Sequence, residues 1–492
     1  MKKSLKFILC TITVLSLFFI FASAEASALT YGDFEYSVLK DGTVQIDKCN
    51  RGFEVEEHLS TDPEDVFYIM VPSEIEGKEV TSIGKKAFEG VGFVKGVVIP
   101  SSVKKIKDYA FANSDFGEIK LNEGLESIGK YAFYNSQIGS ISIPSTVKTI
   151  GAYSFGYYKN EKGKPTLSKN VMYCYENSAS EKYAVKNKIS YKYFNGDYKY
   201  SILKDGTVQI DGYNGTETKL TVPKKISGKK VTSIGKYAFA YNKTLTQVTI
   251  PGTIKTINGA AFYYVNSLKK VTIKDGVTTI KNKAFYDCRY LATVTMSDSV
   301  TKLGDYVFAS CPKLSKITFS KNLASIGSNV VDNTKFYKNK DNWENNILYV
   351  HTYILDADVN NIKGKVNIKD GTTLIADGAF SCSSKSYDNI TSVTIPKSVK
   401  VIGNDAFSEC RSLSKLTLKN GIQTIGKRAF YNADLKSVTI PKSVKTIGEK
   451  AFGYGTNLKG REVKLTDFTI VGYKNTKAQT YAKNNGFEFK AK

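Results

Sequence analysis

Few residues in this chain have both the type and the spacing to do chemistry. Among 492 residues there are two histidines, His58 and His351, far apart in the sequence, so no imidazole pair is available for acid–base work. No Cys-x-x-Cys, His-x-x-x-His, calcium-loop or glycine-rich phosphate spacing occurs, and nothing singles out a pair of carboxylates for glycoside hydrolysis. The expectation is a protein that is not an enzyme: no catalytic residues, no cofactor and no metal. Cys288, Cys311 and Cys410 each follow a phenylalanine by three positions, Cys382 by two, and Asn242 takes the same place elsewhere. That regularity asks for a small, partly polar, inward-facing residue, which is a structural role. Stacking of neighbouring repeats would bring Cys288 near Cys311, with no sign that the two are bonded. The pairing of Cys49 and Cys174 stays open.

The polar residue that recurs most regularly is threonine. Thr249, Thr272, Thr295, Thr318, Thr394, Thr417 and Thr439 each stand between two apolar residues, and Thr221 and Asn367 extend the series. In register they would form one file of hydroxyls. Threonine suits any exposed strand position. The functional alternative is a flat polar surface for a glycan or an extended polypeptide. Val98, Lys120 and Ser142 hold these places earlier in the chain, so a ladder function would belong to the later part. Ice binding would want two parallel files, and there is one. Trp343, the only tryptophan, is the other candidate contact.

What must position these side chains is a repeat. An Ala-Phe pair recurs with Phe88, Phe111, Phe133, Phe239, Phe262, Phe285, Phe380, Phe407, Phe430 and Phe452, and Phe155 and Phe308 mark weaker copies. Most steps are 22 or 23 residues, inside the leucine-rich-repeat range. One unit, LKKVTIKDGVTTIKNKAFYDCRY, runs from Leu268 to Tyr290. Leu268, Val271 and Ile273 make a short strand with one face inward. Asp275-Gly276 turns the chain, as Pro144, Pro251, Pro396 and Pro441 do in sister units. Val277 and Ile280 form a second extended segment, and Ala284-Phe285 closes the coil on a short helical turn. Six buried apolar side chains cannot offset the ordering of a whole coil, so each coil depends on its neighbours. The fold class is a β-rich leucine-rich-repeat solenoid with short helical turns.

The stretch IPKSVKVIGNDAFSECRSL, Ile395 to Leu413, resembles the signature IPxSVxxIGxxAFxxCxxL of BspA-like leucine-rich-repeat surface proteins of bacteria. The resemblance recurs over nearly all of the chain beyond its leader. It implies a secreted or surface solenoid, often an adhesin for host or matrix protein, and it names no ligand. Ordinary leucine-rich repeats place Asn or Cys just after the strand. Here it follows the Phe, which argues against a horseshoe with long convex helices.

A longer duplication overlies the short one. FEYSVLKDGTVQID, Phe34 to Asp47, returns as YKYSILKDGTVQID, Tyr198 to Asp211, and both read as hairpins around Lys-Asp-Gly. Two further matching segments, around Tyr183-Ala184 and Tyr481-Ala482, read as short helices. Solenoids need caps at both ends, so the expected layout is two capped arrays, 29–195 and 196–492. The second holds an irregular insertion at 333–371 with Trp343, His351 and the alternating run ILYVHTYIL. It reads as an irregular coil with its own hairpin, or as a protruding contact loop.

Residues 1–28 have a basic start, an apolar run from Phe7 to Phe21 and A-x-A exits at Ala24 and Ala28, the three parts of a secretory signal. No second stretch is long and apolar enough to span a bilayer. Removing the leader takes Lys2, Lys3, Lys6 and Glu25 with it and lowers the net charge from +24 to +22. Such a charge favours anionic polymers, although the lysines are spread evenly, as on any solvated surface. The expected function is a secreted or cell-surface scaffold for protein binding and adhesion. The alternative is a non-catalytic glycan-binding or cell-wall-associated module. Nucleic acid ranks below both as a partner.

Overall fold

Each period of the sequence becomes one coil of a β-solenoid, with about 17 turns among the described residues. The computed structural model describes residues 29–50, 68–382, 390–457 and 459–492. The leader and His58 lie outside the described residues. The chain divides into two units, Met1–Phe194 and Asn195–Lys492. Among the described residues, no helix is long and apolar enough to cross a membrane.

In the coil from Leu268, strand Lys270–Ile273 pairs in parallel with Gln247–Ile250 before it and Thr293–Met296 after it. The shorter strand Thr279–Ile280 pairs likewise with Thr256–Ile257 and Lys302–Leu303. Val271, Ile273, Val277, Ile280, Ala284, Phe285 and Leu291 all point inward and are buried. The Ala-Phe segment closes on tight turns, with the Ala284 N–H bonded to the Lys281 carbonyl (3.2 Å) and Tyr286 to Lys283 (3.1 Å). It does not continue as a helix because Lys283 and Asp287 have left-handed backbones, φ 60° and 56°.

That alternation of hand gives the coils a third ladder. The N–H groups of Lys283, Phe285 and Asp287 donate to the carbonyls of Asp305, Val307 and Ala309 on the next coil, at 2.8, 2.9 and 3.0 Å. Phe111 to Ala132 (2.7 Å) and Phe407 to Ala429 (2.8 Å) repeat the pattern. All these donors face the following coil, so the last coil of each unit would leave an N–H unpaired. The phenylalanine rings stack over one another, 4.8 Å apart for Phe88 and Phe111, 5.0 Å for Phe262 and Phe285, and 5.2 Å for Phe407 and Phe430. Close approach of coils also explains the Gly of the Ile-Gly step. A Cβ on Gly151 would sit 2.4 Å from the Lys130 nitrogen, and one on Gly448 would sit 2.3 Å from the Lys427 nitrogen.

The ends of both units use the same devices. Strands Phe34–Val38 and Val44–Cys49 form an antiparallel hairpin, as do Tyr198–Ile202 and Val208–Tyr213, each with a bulge at the equivalent place. Thr43 Oγ1 donates to Asp41 (2.7 Å), and Thr207 to Asp205 (2.6 Å). These bonds are the main reason both carboxyls sit below the usual aspartate pKa. Helices Ala179–Asn187 and Lys477–Asn485 lie near the other ends. The Phe155 N–H donates to the Tyr183 hydroxyl (3.2 Å), and the Phe452 N–H to the Tyr481 hydroxyl (3.0 Å). Each tyrosine thereby closes the ladder of its own unit, and burial pushes the Tyr183 phenol up to about 12.

Candidate functional site

The threonines reach the surface because the strands alternate. In the sheet of Lys219–Thr221, Gln247–Ile250, Lys270–Ile273, Thr293–Met296 and Lys316–Thr318, pairing puts Thr221, Thr249, Thr272, Thr295 and Thr318 side by side. Thr295 and Thr318 are exposed, and Thr249 and Thr272 half-buried. Two residues earlier on the same face lie exposed Lys219, Gln247, Lys270 and Lys316, with half-buried Thr293. The result is a flat strip of hydroxyls flanked by ammonium groups.

The file is not continuous along the unit. Asn367, Thr394 and Thr417 line up in a separate three-stranded sheet, and Thr439 pairs with Val471 in another. The segment expected to be an insertion lies between the first two runs. It contains helix Lys335–Lys338, strand Trp343–Glu344 and the hairpin Ile347–Val350 with Tyr353–Ala357. Tyr353 and Ile354 then pair in parallel with Leu374 and Ile375, so the hairpin joins the second ladder. Trp343 is half-buried. Its indole N–H donates to the Tyr337 carbonyl (2.8 Å) and its ring meets Tyr337 edge-on at 5.1 Å. His351 lies exposed at the hairpin turn.

The inward polar positions are resolved to individual bonds. Cys288 Sγ donates to the Phe262 carbonyl (3.1 Å), Cys311 to Phe285 (3.2 Å) and Cys410 to Phe380 (3.2 Å). These carbonyls belong to the preceding coil, and that of Phe380 also accepts from the Cys382 thiol (3.5 Å). Desolvation raises the Cys288 thiol well above its ordinary pKa, which suits a neutral donor and not a nucleophile.

A family model, the BspA type leucine-rich repeat region, matches residues 81–198, 232–360 and 373–474. The chain belongs to this family. As a BspA-type protein it is similar to several solved structures. A leucine-rich cell surface protein of Faecalibacterium prausnitzii is 22% identical, with 61% of this chain and 94% of that one covered and a TM-score of 0.27. A leucine-rich-repeat protein of Bacteroides ovatus is 18% identical over 94% and 99%, with a TM-score of 0.28. The pneumococcal vaccine antigen PcpA is 14% identical over 95% and 98%, with a TM-score of 0.26. At these scores the superpositions add nothing to the family assignment. No curated protein matches the chain.

Sequence reasoning passed over tyrosine. Beside the marker phenylalanines Phe239, Phe262, Phe285 and Phe308 of four successive coils stand Tyr237, Tyr241, Tyr263, Tyr264, Tyr286 and Tyr306. Their clustering around a fixed marker is the signal in the sequence that could have found them.

Proposed function

We propose that this BspA-type chain is an exported, non-catalytic scaffold that adheres to an extracellular protein or matrix partner through the outward faces of its second unit. The observation that supports this reading most is the in-register strip of Thr249, Thr272, Thr295 and Thr318 flanked by Lys270 and Lys316. A flat ladder of identical polar groups suits an extended polypeptide, and the family is one of repeat scaffolds. The apolar start followed by A-x-A supports export. A second reading, a glycan-binding or wall-associated module, draws on the same strip and on the +24 charge of the chain.

The test is binding of the full chain to immobilised extracellular proteins and polysaccharides at low and high salt. If the strip is the site, salt has little effect, and Thr272→Lys/Thr295→Lys/Thr318→Lys abolishes binding to a protein target. Binding only to acidic polysaccharide, falling steeply between about 50 and 200 mM salt, would favour the second reading. Unchanged binding by the triple variant would reject the strip.

A further inference from the structure

The tyrosines of the second unit form a surface distinct from the threonine strip, on the ladder that carries the phenylalanines. Among the described residues of this unit, the exposed large side chains with apolar bodies are Tyr237 (50%), Tyr241 (59%) and Tyr290 (57%). All three stand on the turns around Phe239 and Phe285. Ring contacts join Tyr237 and Tyr241 to their neighbours, Tyr237 meeting Tyr263 at 6.3 Å, and Tyr290 follows Arg289 in the sequence. Tyr241 lies 5.6 Å from Tyr263 and 5.8 Å from Tyr264, Tyr263 stacks on Tyr286 at 5.6 Å, and Tyr286 meets Tyr306 at 6.5 Å. The stripe therefore runs along four coils.

Cations are interleaved with the rings. Lys236 Nζ lies 4.9 Å from the Tyr237 ring centre, Arg289 lies 5.2 Å from Tyr264, and Lys283 lies between Tyr286 (5.5 Å) and Tyr306 (5.7 Å). Two acids lie nearby, and one of them pairs with a cation of the stripe itself. Asp287 pairs with Arg289 at 2.9 Å, and Asp305 accepts from the Asn282 side chain (2.6 Å) and the Ser328 N–H (2.9 Å). Arg289 is thus neutralised within the stripe, while Lys236 and Lys283 make no ion pair among the described residues and present their ammonium groups beside the phenol rings.

We propose that this tyrosine–cation stripe is a docking surface for an acidic polypeptide segment. Tyrosine and arginine are the residues that dominate protein–protein contacts, because a rigid ring buries much area and still offers a polar group. Charge complementarity sets the sign of the partner. A sugar ring stacks on an uncovered aromatic face, but Tyr263 and Tyr286 turn theirs toward each other with planes 6° apart. The phenol hydroxyls can donate to carboxylates and backbone carbonyls. The inference stands apart from the threonine strip and does not need it.

The experiment uses the full chain and a fluorescent glutamate–tyrosine copolypeptide, with alginate as an acidic polysaccharide in parallel. The wild type binds the copolypeptide. Tyr237→Ser/Tyr241→Ser/Tyr290→Ser keeps every charge and weakens that binding at least tenfold. Lys283→Gln/Arg289→Gln weakens it by a similar factor and flattens its salt dependence. Tyr241→Ser alone, at the most exposed ring, gives a smaller loss in a protein whose melting curve is unchanged. The threonine-to-lysine triple variant loses none of it. Copolypeptide binding that is absent in the wild type, or unaltered by the serine variants, overturns the proposal. So does a loss confined to alginate, which would make the stripe a sugar surface.

Discussion

The two units solve the same folding problem with the same parts and then differ where they face solvent. Both open on a hairpin fixed by an Asp–Thr bond, and both close their Phe ladder with a tyrosine hydroxyl. Outward, they diverge. The first unit's strands Gly92–Val98 and Asp115–Lys120 carry Val98 and Lys120 where the second carries threonine. Inward, one position also differs in a telling way. Ser114 and Ser136 donate to the phenylalanine carbonyl of their own coil, at 2.7 and 2.8 Å, whereas Cys288 and Cys311 reach back to the preceding coil. Coil geometry therefore constrains inward side chains by size and donor capacity, while outward positions are free to specialise.

The most damaging way to test the shared core is to remove a ring from each unit. Phe285→Ala and Phe111→Ala should each cost about 3–5 kcal/mol through a cavity between stacked neighbours. Both rings are fully buried and stacked on both sides. Denaturant unfolding followed by circular dichroism reads the loss. A loss below about 1 kcal/mol at either site would mean that the two ladders are not equivalent.

The caps come next. Tyr183→Phe and Tyr481→Phe keep the ring and delete the hydroxyl, leaving the N–H of Phe155 or Phe452 buried without an acceptor. Each should cost about 1–3 kcal/mol, and by a similar amount in the two units. If only one variant is destabilised, the caps close their ladders differently.

A single carboxyl in the irregular segment sharpens the contrast by pH. Asp356 is pushed up to about 6, chiefly by burial, while the Ala357 N–H and the Tyr337 hydroxyl act in the opposite direction. The unfolded chain releases this proton near pH 3.9, so the folded protein holds it over a window in which the unfolded chain does not. This contribution is fully present below about pH 4 and is lost as pH rises to about 6, by roughly 3 kcal/mol. The variant Asp356→Asn should remove that slope. An unchanged slope would place the pH sensitivity elsewhere.

Most of the architecture was legible because the phenylalanine marker has a fixed period and a fixed physical reason. Period, strands, hairpins and cap helices all follow from alternation and from Lys-Asp-Gly turns. The left-handed pair around each phenylalanine was not legible, since Lys283, Tyr237 and Arg428 adopt it although their types do not favour it. Packing of the next coil decides there against local preference. The interruption of the threonine file shows in the sequence as the irregular segment at 333–371, but not that Thr318 and Asn367 then belong to different sheets. Cys288 was correctly read as structural, but its acceptor, a carbonyl 26 residues earlier, lies beyond any local pattern.

The smallest expected effect is the one that tests whether outward positions are free. Thr272→Lys, Thr295→Lys and Thr318→Lys convert part of the second unit's strip toward the first unit's Lys120. Since Thr295 and Thr318 are exposed and Thr272 is half-buried, each change should move stability by only about 0.5 kcal/mol. The new ammonium groups would stand near Lys270 and Lys316, so part of even this small loss should be repulsion. Repulsion between exposed charges is screened within about 3 Å at 1 M salt, and packing is not. Melting curves at low salt and at 1 M therefore separate the two causes. A loss that vanishes in salt leaves the strip as a surface chosen for its chemistry. A loss of several kcal/mol that persists in salt would show that the hydroxyls hold the coils together, and the threonines would then differ from Val98 and Lys120 for reasons of folding.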